Sequence, residues 1–168
     1  MTVTIYTASV PLLSQMLGAL SGVLGKGAAY AAERKIDPAV FVTARLAPDM
    51  LALARQVQIA TDMAKGGVAR LAGVVIPKYE DDETTLEALQ ARIAKTVAFI
   101  ESIPAASIEG TDDKDITITV AKADRHFKGG DYLLRWVIPN VMFHVTTAYD
   151  ILRHNGVPVG KRDFLGAG

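Results

Sequence analysis

Asn140 and His144 are the residues of this chain whose types and spacing best suit chemistry. They stand four apart in the run PNVMFHVTTAYDILRHNG, directly after Pro139. Positions i and i+4 of a helix share a face, so one amide and one imidazole can reach the same metal ion or small ligand. Neutral imidazole is a good ligand for zinc, nickel or iron and a proton acceptor near neutral pH. A structural role accounts for the same pair. Pro139 lacks an N–H and frees the carbonyl of Arg135. Asn140 can satisfy that carbonyl, and His144 can be a hydrogen-bonded core histidine. The chain has no cysteine, which excludes disulfides, thiolate ligands and a cysteine nucleophile.

These two residues need a helix to position them. Gly129 to Gly156 reads as one, with Asp131 as N-cap and Gly156 as the stop. It would span about 36 Å at 1.5 Å per residue. One stripe runs Leu133, Val137, Asn140, His144, Ala148, Ile151, and a second runs Leu134, Val141, Val145, Leu152. Tyr132, Trp136, Phe143 and Tyr149 widen the apolar surface, so burial on most sides is expected. Pro139 predicts a kink. Asp131, Arg135, Asn140, His144, Asp150 and Arg153 interrupt the run too often for a membrane span.

Three further helices are expected. Val10, Leu13, Leu17, Leu20 and Leu24 recur at steps of three and four, after an extended Met1–Tyr6 and a Ser9 N-cap. Gly18, Gly22, Gly25 and Gly27 lie inside that helix and point to close approach by a neighbour. A second helix runs from about Pro48 to Ala72 on Met50, Leu53, Val57, Ala60 and Ala64, with Gln56 at its boundary. The third follows the acidic run Glu80–Glu83, whose charges favour the positive end of a helix dipole. There Thr84 to Glu87 forms a capping box, and Leu86, Leu89, Ile93, Val97 and Ile100 form the seam. Ile116, Ile118 and Val120 alternate with threonines, which predicts a strand, and Arg125–Lys128 returns as its hairpin partner with His126 exposed. The tail from Val157 is too glycine-rich for regular structure, with Phe164 and Leu165 pinning it. The fold class is all-α: a four-helix bundle with a small β-hairpin between its third and fourth helices.

At 168 residues the chain is expected to be one domain. Lys plus Arg and Asp plus Glu both number 18, so no basic stripe argues for nucleic acid and no cationic face for a membrane surface. The start MTVTIYTASVP is no signal peptide. A soluble cytoplasmic protein is expected. The apolar surplus on the first and last helices favours a homodimer.

The runs PNVMFHVTTAYDILRHNGVPVGKRDFLG and RLAPDMLALARQVQIATDMAKG resemble an uncharacterised bacterial family, the domain of unknown function numbered nineteen ninety-three. The similarity covers essentially the whole chain. That family resembles in turn the DinB and YfiT-like four-helix bundles, a metalloenzyme fold whose usual site is three histidines around a divalent metal. One comes from the second helix and two from an HxxxH pair on the last. His144, twelve residues before Gly156, matches the last of these. Asn140 stands at its partner's position, and Gln56 falls at the second-helix position. Carboxamide oxygen is a weak ligand beside imidazole. The resemblance therefore implies a small-ligand-binding or structural bundle without a complete metal triad. Its ligand-binding residues would be Gln56, Asn140, His144 and Tyr149, with at most a weakly held divalent metal at His144. The alternative is a DinB-like metal-dependent enzyme of transferase or hydrolase type using His144, to which Asp49 and Asp150 could also contribute.

Overall fold

Aliphatic spacing decides where the helices run. A computed structural model describes residues 2–167. The chain is mostly helical, with one small two-stranded antiparallel sheet. Helix α1 spans Val10–Arg34, the short α2 Ala39–Thr43, α3 Leu53–Ala72 and α4 Leu86–Glu101. Strands β1 (Asp115–Val120) and β2 (Ala123–Lys128) pair through Thr117 opposite His126. The closing helix comes in three parts: α5 (Gly129–Tyr132), a π-helical turn (Leu133–Val137) and α6 (Ile138–His154). A last turn, α7, is Lys161–Phe164. The long helices pack α3 on α6, α1 on α4, α3 on α4 and α1 on α6. Their shared core holds Leu13, Leu17, Leu53, Val57, Leu89 and Val141, all without solvent contact. No helix among the described residues is long and apolar enough to cross a membrane.

Several boundaries differ from expectation for local reasons. Met1 lies outside the described residues, and Ile5 and Tyr6 belong to a hydrogen-bonded turn, where Ala8 N–H donates to Thr4 O at 2.9 Å. Ser9 precedes α1 but does not cap it, because its hydroxyl donates back to Tyr6 O at 3.0 Å. Helix α3 begins five residues after Pro48. Ala52 is extended, and Leu53 N–H is taken by Ala44 O at 2.9 Å. Thr85, rather than Thr84, caps α4, accepting from Ala88 N–H at 3.1 Å. The closing helix starts at Gly129, ahead of Asp131, which instead pairs with Arg135 at 3.1 Å. A β-carbon at Gly129 would lie 2.0 Å from Thr111 O, so only glycine fits where the hairpin joins the helix. Of the α1 glycines, Gly27 sits against Leu152, while Gly18 and Gly22 face open space. The expected close approach therefore occurs at one end of the helix alone. The tail is more regular than expected: Asp163 accepts from Gly160 N–H at 2.8 Å and closes α7.

Pro139 produces a π-turn. Its ring crowds the carbonyl four residues back and it offers no N–H. Widening the preceding turn moves the ladder one residue, and Ile138 N–H donates to Leu133 O. The wide turn leaves Leu134 exposed, and Phe143 is exposed as well, so the helix is less enclosed than its composition implies. It packs closely on α3, where a β-carbon at Gly67 would come within 2.6 Å of Val137 Cγ1.

A buried cation ties α4 to α3. Arg92 is 4% exposed, and its five N–H groups face five acceptors. Nε donates to Thr61 Oγ1 at 2.8 Å. Nη1 donates to Glu80 O and Glu83 Oε1, both at 2.9 Å. Nη2 pairs with Asp62 at 3.0 Å and Asp81 at 3.1 Å. The acidic run thus serves less to favour a helix dipole than to fold the 74–85 loop over α3. Burial works against ionisation of Glu83, but hydrogen bonds from Arg92 and Gln58 outweigh it and hold its pKa below the ordinary value. Asp81 is lowered likewise: burial opposes, and Arg55 and Arg92 prevail.

Two outcomes follow for stability. Gly67→Ala should destabilise by about 1–3 kcal/mol through overpacking, despite gaining about 1 kcal/mol of helix propensity. Val137→Ala should cost less in that background than alone, as a double-mutant cycle by urea unfolding would register. Carboxylates with lowered folded pKa values stabilise fully above their unfolded values and lose that contribution as pH falls through the folded ones. Melting temperature should therefore drop below about pH 4, and Glu83→Gln should lower it at pH 7 while flattening its acid dependence.

Candidate functional site

Gln56 and His144 meet across the α3–α6 contact. Gln56 is buried, at 2% exposure, not a boundary residue. Its Nε2 donates to Leu51 O at 3.0 Å, which fixes which end of the amide is oxygen, since a carbonyl can only accept. Gln56 Oε1 then lies 2.7 Å from His144 Nδ1, so Nδ1 must carry the proton and donate. The neutral ring consequently presents Nε2 as a bare lone pair. Nε2 has no hydrogen-bond partner among the described residues, yet it is not enclosed: the fully buried side-chain atom without a partner among those residues is Ser14 Oγ on α1. Burial pushes the His144 pKa below its ordinary value, and the positive charge of Arg55 pushes it further down. The imidazole is neutral at physiological pH.

The other named residues do not join this pair. Asn140 Nδ2 donates to Trp136 O at 2.7 Å, one carbonyl beyond the one that Pro139 was expected to free. Tyr149 turns to the tail, with its hydroxyl 3.5 Å from Val159 O and its ring edge-on to Phe164. Asp49 is exposed on the turn before α3, and Asp150 is half-buried on α6. His126 is exposed on the hairpin and bonds Thr117 at 2.9 Å.

The fit to a three-histidine metal site follows from these bonds. Gln56 spends both ends of its amide, and Asn140 spends its nitrogen. What remains is one imidazole nitrogen and a carboxamide oxygen, a weak donor set for a transition metal. Among the described residues, no three His, Cys, Asp or Glu side chains are grouped to hold an ion. The donors do not fit such a metal. Gln56 instead holds the ring: by accepting from Nδ1–H it fixes the tautomer and the ring plane.

A second polar assembly escaped sequence reading. It surrounds Tyr79, whose ring has Lys65 Nζ 3.6 Å and Lys95 Nζ 4.3 Å from its centroid. Lys65 is buried and pairs with Asp62 at 2.9 Å. A lysine inside the aliphatic run of α3 was the available signal.

A crystal structure of a DinB family member from Shewanella denitrificans is 42% identical, with a TM-score of 0.88, over 97% of this chain and 92% of that one. The chain is therefore DinB-like in fold. It belongs to the family described as a domain of unknown function, DUF1993, which matches residues 5–165. No curated protein matches it.

His144 should titrate below about 6.5 by NMR, and Arg55→Gln should raise that value part of the way, since burial persists. The sign for stability is set by the unfolded chain, which takes the proton first. Between the unfolded and folded pKa values stability should fall as pH falls, and His144→Gln should remove that slope.

Proposed function

We propose that this protein is a DinB-like four-helix bundle that binds a small ligand without a complete metal triad, with His144 as its oriented polar contact. The observation that carries the reading is the Gln56 bridge from Leu51 O to His144 Nδ1. It commits the amide at the second-helix position to holding the ring. It leaves a neutral, accessible Nε2 to accept a hydrogen bond or a proton from a ligand.

The test sets this reading against a DinB-like metal-dependent transferase or hydrolase. Chelator-treated protein is titrated with zinc, nickel and manganese while melting temperature and bound metal are followed. The expected result is no stoichiometric uptake and no rise in melting temperature, in the wild type and His144→Ala alike. A native-state metal site must stabilise as metal exceeds its dissociation constant. Uptake with such a rise, lost in His144→Ala, would replace the reading with the metal-dependent one.

A further inference from the structure

Unspent polar capacity also lies away from His144. A cleft of about 340 Å³ opens between the second half of α3, the 74–79 loop, β1 and the π-turn. That volume suits a small ligand. Neither Gln56 nor His144 lines it. Half-buried Trp136 supplies a flat wall, and Ile118 and Val120 extend it with aliphatic surface, while Tyr132 is buried at 2% exposure and Tyr79 carries the Lys65 and Lys95 ammonium groups over its ring. Trp136 is carried by the π-turn, a device that recurs at functional sites.

Three cations border this space, and they are not equivalent. Lys65 is paired with Asp62 at 2.9 Å, and Lys78 with Glu80 at 3.1 Å. Among the described residues, Arg70 has no carboxylate partner within 4.0 Å. One of its N–H groups donates to Tyr132 Oη at 3.1 Å. The guanidinium lies against Gly66, where a β-carbon would come within 2.6 Å of Nη1. The glycine thus provides the seat, and the tyrosine holds the head in it. Tyr132 accepts in that bond and, buried at 2% exposure, positions the guanidinium. A seated guanidinium with N–H groups to spare matches a carboxylate in plane and charge, and the indole of Trp136 matches a flat ring.

We propose that this cleft binds a small aromatic carboxylate, with Arg70, held in place by Tyr132, pairing with the carboxylate and Trp136 lying against the ring. The inference does not depend on the His144 reading. Trp136 is the one tryptophan of the chain, so its fluorescence reports on the cleft directly.

The test uses the whole protein and benzoate. Benzoate should change Trp136 fluorescence saturably and raise the melting temperature. Benzamide, with the same ring and no charge, should bind at least about tenfold more weakly, in keeping with the strength of hydrogen bonds to charged groups. Arg70→Gln should weaken benzoate by about tenfold or more. Lys78→Gln alters a solvent-exposed side chain that the fold does not need, and should weaken benzoate about twofold by reducing the local positive field. His144→Ala should leave benzoate binding unchanged. No saturable response in the wild type, equal affinity for benzamide, or inorganic phosphate competing as well as benzoate would overturn the proposal. So would an Arg70→Gln protein that folds and binds benzoate as the wild type does.

Discussion

A guanidinium withdrawn from water must be met at every N–H, and Arg92 is. Its partners come from three places: Thr61 and Asp62 on α3, the carbonyl of Glu80, and the side chains of Asp81 and Glu83. Removing one would leave an N–H of a buried cation without its acceptor, which costs more than losing an exposed pair. The constraint fixes how α4 rides on α3, and it draws the loop between them across the α3 surface. Tyr79 is delivered by that loop. Lys65, held by the Asp62 that Arg92 also binds, comes to rest over its ring. One wall of the cleft is therefore a by-product of satisfying a single arginine.

The opposite wall depends on a proline. A regular α-helix through Pro139 would set its ring against the carbonyl of Arg135. The π-turn resolves this by inserting extra width ahead of it, which reorients everything on the N-terminal side. Trp136 is half-buried beside the hairpin, with Arg125 over its indole at 5.4 Å, while Val137 enters the α3 contact at Gly67. Downstream the helix is regular, and His144 meets Gln56 there. The two halves of the closing helix thus serve two different polar sites.

What could be read from the chain in advance follows the range of the interactions. Aliphatic spacing is local, so Leu13, Leu17, Leu20 and Leu24 identify α1, and threonine–isoleucine alternation identifies β1. The family resemblance likewise rested on contiguous runs. Arg92 stood unremarked beside the Leu89–Ile93 seam, because its burial is made tolerable by Asp62, thirty positions away. Gln56 looked like a boundary residue for a similar reason: only the unwound stretch before α3 brings Leu51 O within its reach. Asn140 bonds the carbonyl of Trp136 in place of that of Arg135, since a π-turn shifts the pairing by one in a way that periodicity cannot register. Tyr149 was assigned to a site by its position on the helix, whereas the short α7 claims its ring.

The hairpin carries one more implication, for where the ribbon draws its support. Its two-residue tip places Ala121 at φ 50° and Lys122 at φ 67°, both in the left-handed region. Tight tips of this kind are usually built from asparagine and glycine, and a side chain there is disfavoured by about 1–2 kcal/mol per residue. The anchorage lies instead at the base, where Gly129 is wedged under Thr111, Gly130 N–H reaches Asp112 O at 2.9 Å, and Lys114 Nζ donates to the Arg70 and Leu71 carbonyls, each at 2.9 Å. The ribbon is thus moored to the helices at one end and bears the cost of its turn at the other.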